Sequence, residues 1–284
     1  EKQGKEFGDK AGYKTLKELR ALSTKEVFDV YQESRRFGFP VVIDGYFLPK
    51  KLSEIYAAKE QSQIPLLAGW NSAEVGGGMI MRGKPYTVEN YVNVIKAEYP
   101  NQWEEVLKLY PAHSEREAEV SATALASDRF IVYATWKWLD LHRNNSSQPV
   151  YRYLYARPRP EMVPEMGDAT PGLAGGVQKG NAGPKPPAAK GAVHSAEIEY
   201  AMGNLHYNKV YAWTKDDYAV SATMQSYFAN FIKTGNPNGA NLPNWPATKT
   251  SKPVPVMRID VKTVLEKDAH EARYKLLEQI AEKK

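Results

Sequence analysis

The chain has 284 residues, 42% of them hydrophobic and 25% charged, with a formal net charge of +5 and no cysteine. Such a composition supplies ample apolar material for a packed core. The missing thiols exclude disulfides, cysteine nucleophiles and Cys-ligated zinc. Lysines alternate with acids, as in Lys50-Lys-Leu-Ser-Glu54 and Leu265-Glu-Lys-Asp268, so no basic stripe forms. No apolar run reaches the roughly 20 residues of a membrane span. Neither nucleic acid nor a membrane is therefore expected as a partner.

Taken in chain order, Phe7, Ala11, Leu16, Leu19 and Leu22, then Val27, Phe28, Val30 and Tyr31, recur at helical spacing. They predict helices over residues 1–37, with Ser23 or Thr24 as a cap. The segment Phe39-Pro-Val-Val-Ile-Asp44-Gly45-Tyr-Phe-Leu-Pro49 reads as β-rich and broken by an Asp-Gly turn. A short helix is predicted over 52–59 and a brief apolar strand over Ile64–Leu67. Four helical stretches follow at 87–96, 101–110, 114–124 and 127–144, within a helical region spanning 79–145. Pro149–Ala156 alternates like a strand, with Tyr151, Tyr153 and Tyr155 in a ladder expected, like Trp136 and Trp138, to fill core. Residues 157–193 are rich in Pro and Gly and read as a long loop, either a disordered one or, since it leads straight into His194, the wall of a cleft. Helices are predicted at 195–203, 216–233 and 262–282, with a Thr234-Gly-Asn-Pro-Asn-Gly239 turn between the last two. Strands interleaved with helices give an α/β class. Only two or three strands can be counted, too few for a doubly wound sheet, and alone they would expose an open edge of unpaired backbone groups, so further strands are expected from elsewhere.

Two polar residues stand where such a fold does chemistry. Pro65-Leu-Leu-Ala-Gly-Trp-Asn-Ser-Ala-Glu74 puts a carboxylate on the loop leaving a buried strand. Gly191-Ala-Val-His194-Ser-Ala-Glu-Ile-Glu-Tyr200 puts an imidazole after the next one. Acid, then histidine, is the second half of the order Ser…Asp/Glu…His. No Gly-x-Ser-x-Gly occurs in the 284 residues. Ser195 reads as a helix N-cap, not a nucleophile. Asp44 and Asp128 are rival carboxylates with structural readings, and Glu197 and Glu199 are expected to line or brace the cleft. Gly76-Gly-Gly78 lacks the Lys-Ser/Thr of a phosphate loop and reads as a flexible lead into the helices. His113, His142, His206 and His270 have no ligand spacing, so no metal and no cofactor is expected.

These segments resemble the type-B carboxylesterases, which include the cholinesterases and bacterial para-nitrobenzyl esterases. Pro40–Pro49, Pro65–Glu74, Gly191–Tyr200 and Met224–Asn238 followed by Trp245-Pro246 match family motifs in the family's order. Val75 replaces a usual Gly and Tyr227-Phe228 a common Trp, and neither removes a group the chemistry needs. The resemblance implies the C-terminal part of one α/β-hydrolase domain spanning 1–284, incomplete without an N-terminal portion. It assigns Glu74 as triad acid and His194 as triad base of a serine carboxylic-ester hydrolase. It also implies an N-terminal partner portion bearing the serine and oxyanion loop, a small ester as substrate, and little activity in this chain alone. A non-catalytic cholinesterase-like interaction module, or a lactonase or amidase on the same scaffold, is the alternative. Any export signal would precede residue 1; the compartment is left open, with periplasm or secretion favoured.

Overall fold

The computed structural model describes residues 2–33, 38, 41–172, 176–179, 190–248 and 253–282. It divides into two compact units, Glu1–Glu54 and Ile55–Lys284. The first holds helices at Lys2–Lys10, Leu16–Ala21 and Thr24–Glu33. Thr15 opens the second of these in a capping box with Glu18. Ser23 opens the third: its Oγ accepts from the Glu26 N–H at 3.3 Å, and Glu26 accepts from the Ser23 N–H at 2.7 Å.

The β-rich expectation fails over residues 41–49, which form bends and join no ladder. Asp44 Oδ1 accepts the N–H groups of Tyr46 and Leu48 at 2.9 and 3.0 Å, engaging amides that a ladder would need. Gly45 completes the turn at a φ of 75°. Residues 34–37 and 39–40 of the predicted elements lie outside the described residues.

The second unit is built on a mixed sheet. Strands β1 (Leu66–Asn71) and β2 (Val150–Tyr155) pair in parallel; two-residue strands β3 (Thr170–Pro171) and β4 (Val177–Gln178) form a separate antiparallel ladder. β5 (Pro255–Ile259) runs parallel to β2, and β6 (Val264–Lys267) closes an antiparallel hairpin, giving the order β1-β2-β5-β6. The main sheet thus has four strands among the described residues, more than the sequence revealed. The predicted helix over 262–282 is a misreading of its first half: β6 occupies 264–267, and the helix is Glu271–Glu282.

Strand alternation sorts side chains to two faces. Leu66, Ala68 and Trp70 of β1, with Val150 and Leu154 of β2, pack against Val132, Trp136, Leu139 and Tyr274. Leu67, Tyr151, Tyr153 and Tyr155 face the other way, toward Tyr200, Val220, Met224, Tyr227 and Trp245. Helices therefore cover both faces.

Helix Lys215–Thr234 carries the second face. Thr214 and Asp217 form its capping box, and Gly235, at a φ of 74°, ends it with an N–H to the Phe231 carbonyl at 2.7 Å. Val220, Met224 and Tyr227 recur one turn apart and are buried. Burial of Val220 and Met224 contributes about 2 kcal/mol each. The Asn-Pro-Asn segment then has a physical task. Asn238 accepts the Trp245 N–H at 2.7 Å and donates to the Trp245 carbonyl at 2.8 Å, seating Trp245 edge-on to Tyr227.

On the opposite side, helix Glu115–Ser127 passes through a π-helical turn, Asp128–Val132, into helix Tyr133–Asn145. Asp128 is buried there, accepting the Tyr110 hydroxyl at 2.8 Å. Burial raises its carboxyl to about 6, against the pull of Tyr110 and Arg273. A raised carboxyl takes up a proton in the folded chain before the unfolded one. Its contribution to stability thus improves as pH falls through about 6 toward the unfolded value near ~4. Asp128→Asn keeps an acceptor for Tyr110 without the charge. Denaturant melts of the intact protein should find this variant more stable by about 1–3 kcal/mol at pH 7.5 and little changed at pH 4.5.

Candidate active site

β1 is apolar up to Asn71, then turns sharply. The Ser72 N–H donates to the Tyr155 carbonyl at 2.9 Å, so the turn is anchored to the end of β2. Ser72 Oγ accepts the Ala192 N–H, and the Ala73 N–H donates to the Ala192 carbonyl, both at 2.9 Å. Gly191 allows this approach: a Cβ there would sit 2.9 Å from Ser72 Oγ and 3.0 Å from the Ala73 Cβ. The loop arriving with His194 is thus stitched to the loop leaving β1.

These contacts bring the two motif residues together. His194 Nδ1 lies 2.8 Å from Glu74 Oε2, and the His194 N–H donates to the Glu74 carbonyl at 2.9 Å. The other carboxylate oxygen, Oε1, accepts the Asn71 N–H at 2.7 Å. The Glu74 side chain is 5% exposed and that of His194 27%, so the acid lies behind the base. Burial pushes the Glu74 carboxyl up; the Asn71 N–H and His194 pull it back, and nearby Glu197 opposes them. With Nδ1–H given to Glu74, a neutral imidazole keeps Nε2 as an acceptor. Phe130 presents its ring to His194 edge-on, with centroids 5.1 Å apart and planes at 89°.

Ser195 does not cap a helix. The next helix is Ile198–Ala201 with Glu197 at its cap position, and Ser195 is buried at a φ of 63°. Its carbonyl instead accepts Arg159 Nη2 at 2.8 Å. Arg159 also pairs with Glu199 at 2.7 Å, and Glu199 accepts Asn208 Nδ2 at 3.0 Å, so Glu199 braces the loop. Glu197 accepts from the Asn71 side chain.

Gly77 is packed, not a flexible lead. A Cβ there would meet Ala122 Cβ at 2.9 Å and the Thr123 nitrogen at 3.0 Å, while its N–H donates to Thr123 Oγ1. Trp136 is core as expected, but Trp138 is 42% exposed and donates its indole N–H to the Tyr56 hydroxyl. His142 is buried with Nε2 2.9 Å from the Ile64 carbonyl, whereas His113, His206 and His270 are exposed. Among the described residues no three His, Asp or Glu side chains group as metal ligands. Residues 173–175 and 180–189 of the predicted cleft wall lie outside the described residues. Asn71, Phe130 and Arg159 were not singled out from the sequence. Only Asn71 carried a signal, as a polar residue ending an apolar strand three positions before the acid.

A model described as the Carboxylesterase family matches residues 1–277. Carboxylesterase 5A of Canis lupus familiaris is 29% identical over 248 residues, covering 82% of this chain and 39% of its own length. Carboxylesterase 4A of Bos taurus is 26% identical over 272 residues, covering 86% of this chain and 45% of its own. The chain thus spans less than half the length of these curated relatives. A solved structure titled PNB esterase superposes with a TM-score of 0.61 at 20% identity, over 95% of this chain and 52% of that one. The mixed sheet with helices on both faces is accordingly part of an α/β-hydrolase fold. With its family match running through almost every residue and its fold in agreement, the chain belongs to the carboxylesterase family.

Proposed function

We propose that this chain is the C-terminal portion of a serine carboxylic-ester hydrolase, contributing Glu74 as triad acid and His194 as triad base. The nucleophilic serine and the oxyanion donors are supplied by an N-terminal portion, and the substrate is a small ester. The observation that carries this reading is the 2.8 Å contact between His194 Nδ1 and a buried Glu74 carboxylate. In the first half-reaction His194 Nε2 removes the serine proton as Oγ attacks the ester carbonyl, then returns it to the leaving alkoxide. Water repeats the sequence on the acyl-enzyme, releasing the carboxylic acid and restoring the serine. Glu74 fixes the ring's tautomer and stabilises the imidazolium in both steps. Phe130 packs edge-on against the ring and helps fix its orientation.

A fluorophosphonate probe tests the division of labour, because it needs an activated serine and an oxyanion hole together. Applied to the intact protein and followed by peptide mapping, it should modify a serine outside residues 1–284, and His194→Ala should abolish the adduct. An adduct on any serine within these residues overturns the proposal. Failure of the intact protein to label favours a non-catalytic interaction module.

A further inference from the structure

We infer that Asn71 is a positioning residue that holds the His194 loop on the acid, an inference resting on the reading of Glu74 and His194 as acid and base. Asn71 is 2% exposed and lies at the end of β1. It touches both halves of the dyad's support. Its backbone N–H occupies Glu74 Oε1 at 2.7 Å, leaving Oε2 to His194. Its side-chain amide reaches across 122 residues of sequence to the Val193 carbonyl at 2.8 Å, and also donates to Glu197 Oε2. An amide nitrogen has two protons, and these two acceptors use both.

The acceptors flank the histidine. Val193 directly precedes His194, and Glu197 follows it by one turn, so one amide grips the loop on either side of the imidazole. Asn71 also stands between two carboxylates as a neutral donor to each. Glu197 already pushes the Glu74 carboxyl up, and a third carboxylate here would add to that crowding. An aspartate of the same shape would replace two donor contacts with two acceptor–acceptor contacts. The charged groups around His194 are Glu74 on Nδ1, Glu197 beyond Asn71, and the Arg159–Glu199 pair at the Ser195 carbonyl.

Asn71→Ala and Asn71→Asp in the intact enzyme should each lower kcat about tenfold to a hundredfold, as misplacement of a base does, while KM changes less than about threefold. Asn71→Asp, by adding negative charge beside the imidazole, should also move the acid limb of the kcat/KM profile to higher pH; Asn71→Ala should not. Combining Asn71→Asp with Glu197→Gln reverses donor and acceptor, and should recover part of the lost kcat. A purely structural role would lower melting temperature and activity together, with no limb shift and no recovery. Wild-type kcat and an unmoved acid limb in Asn71→Asp, with His194→Ala inactive, overturn the inference and leave the dyad standing. An active His194→Ala defeats the underlying reading instead.

Discussion

On the proposed reading of His194 as base, replacing it by alanine in the intact protein should cut turnover of a para-nitrophenyl ester at least about a thousandfold, because triad members act as a unit and losing one forfeits the activated nucleophile. The fold should survive. The ring is partly exposed, but its removal leaves the buried Glu74 with only the Asn71 N–H on its carboxylate. That loss costs about 1–3 kcal/mol, and Glu74 then protonates more readily. His194→Gln can still donate to Glu74 and should lose as much turnover at a smaller cost in stability. Burst-phase kinetics together with a melting curve separate the two effects. Turnover within about tenfold of wild type in either variant removes His194 from the mechanism.

The largest structural effect should come from Gly69. It pairs with Tyr153 between β1 and β2, and a Cβ added there would lie 2.2 Å from the Tyr153 carbonyl oxygen and 2.5 Å from its Cγ. The first contact is with backbone, so no side-chain rotation relieves it, and separating the strands would break the parallel ladder that aims both site loops. Gly69→Val should cost more than about 4 kcal/mol, the range reserved for core disruption. Its signature is loss of soluble folded protein, or a urea midpoint collapsed toward zero. Gly76→Ala is the contrast: nothing lies within 4 Å of a Cβ at that position, and the same melt should move by less than about 0.5 kcal/mol. Equal behaviour of the two variants would mean that Gly69 is not at a close strand contact.

The parts of the fold that local periodicity governs were legible. The strand over 150–155, the capped helix over 215–234 and the helices between 88 and 145 follow from spacing and caps that lie within a few residues. The meeting of Glu74 with His194 was legible because each sits in a short motif. Elsewhere the sequence misled. Val261, Val264 and Leu265 among charges resemble a helix stripe, and only the partner strand Pro255–Ile259 makes a hairpin of them. Residues 41–43 have strand-forming side chains, but the Asp44 carboxylate takes the amides of Tyr46 and Leu48 just beyond the turn, where a returning strand would need them. The place of Asn71 at the end of an apolar strand marks it only as unusual; what its side chain holds is not legible, since its acceptors lie more than a hundred residues away. Trp138 was assigned to core by composition alone, and helix phase turned it outward.

That phase has a cause in the π turn. Helical dihedrals continue through Ser127, Val132 and Tyr133, and the Tyr133 N–H bonds five residues back to the Asp128 carbonyl. The turn therefore holds one residue more than an α pitch requires. Each residue advances an α-helix by about 100°, so the surplus residue sets the rotation of everything C-terminal to it. It lets Ala122 and Leu125 face one cluster while Trp136 and Leu139 face the sheet through Trp70, with Phe130 swung against His194 between them. Aligning this chain with a relative that lacks the surplus residue, by a gap placed anywhere else in Glu115–Asn145, would equate inward positions with outward ones along a whole helix. The gap belongs between Asp128 and Val132, where the π turn absorbs it.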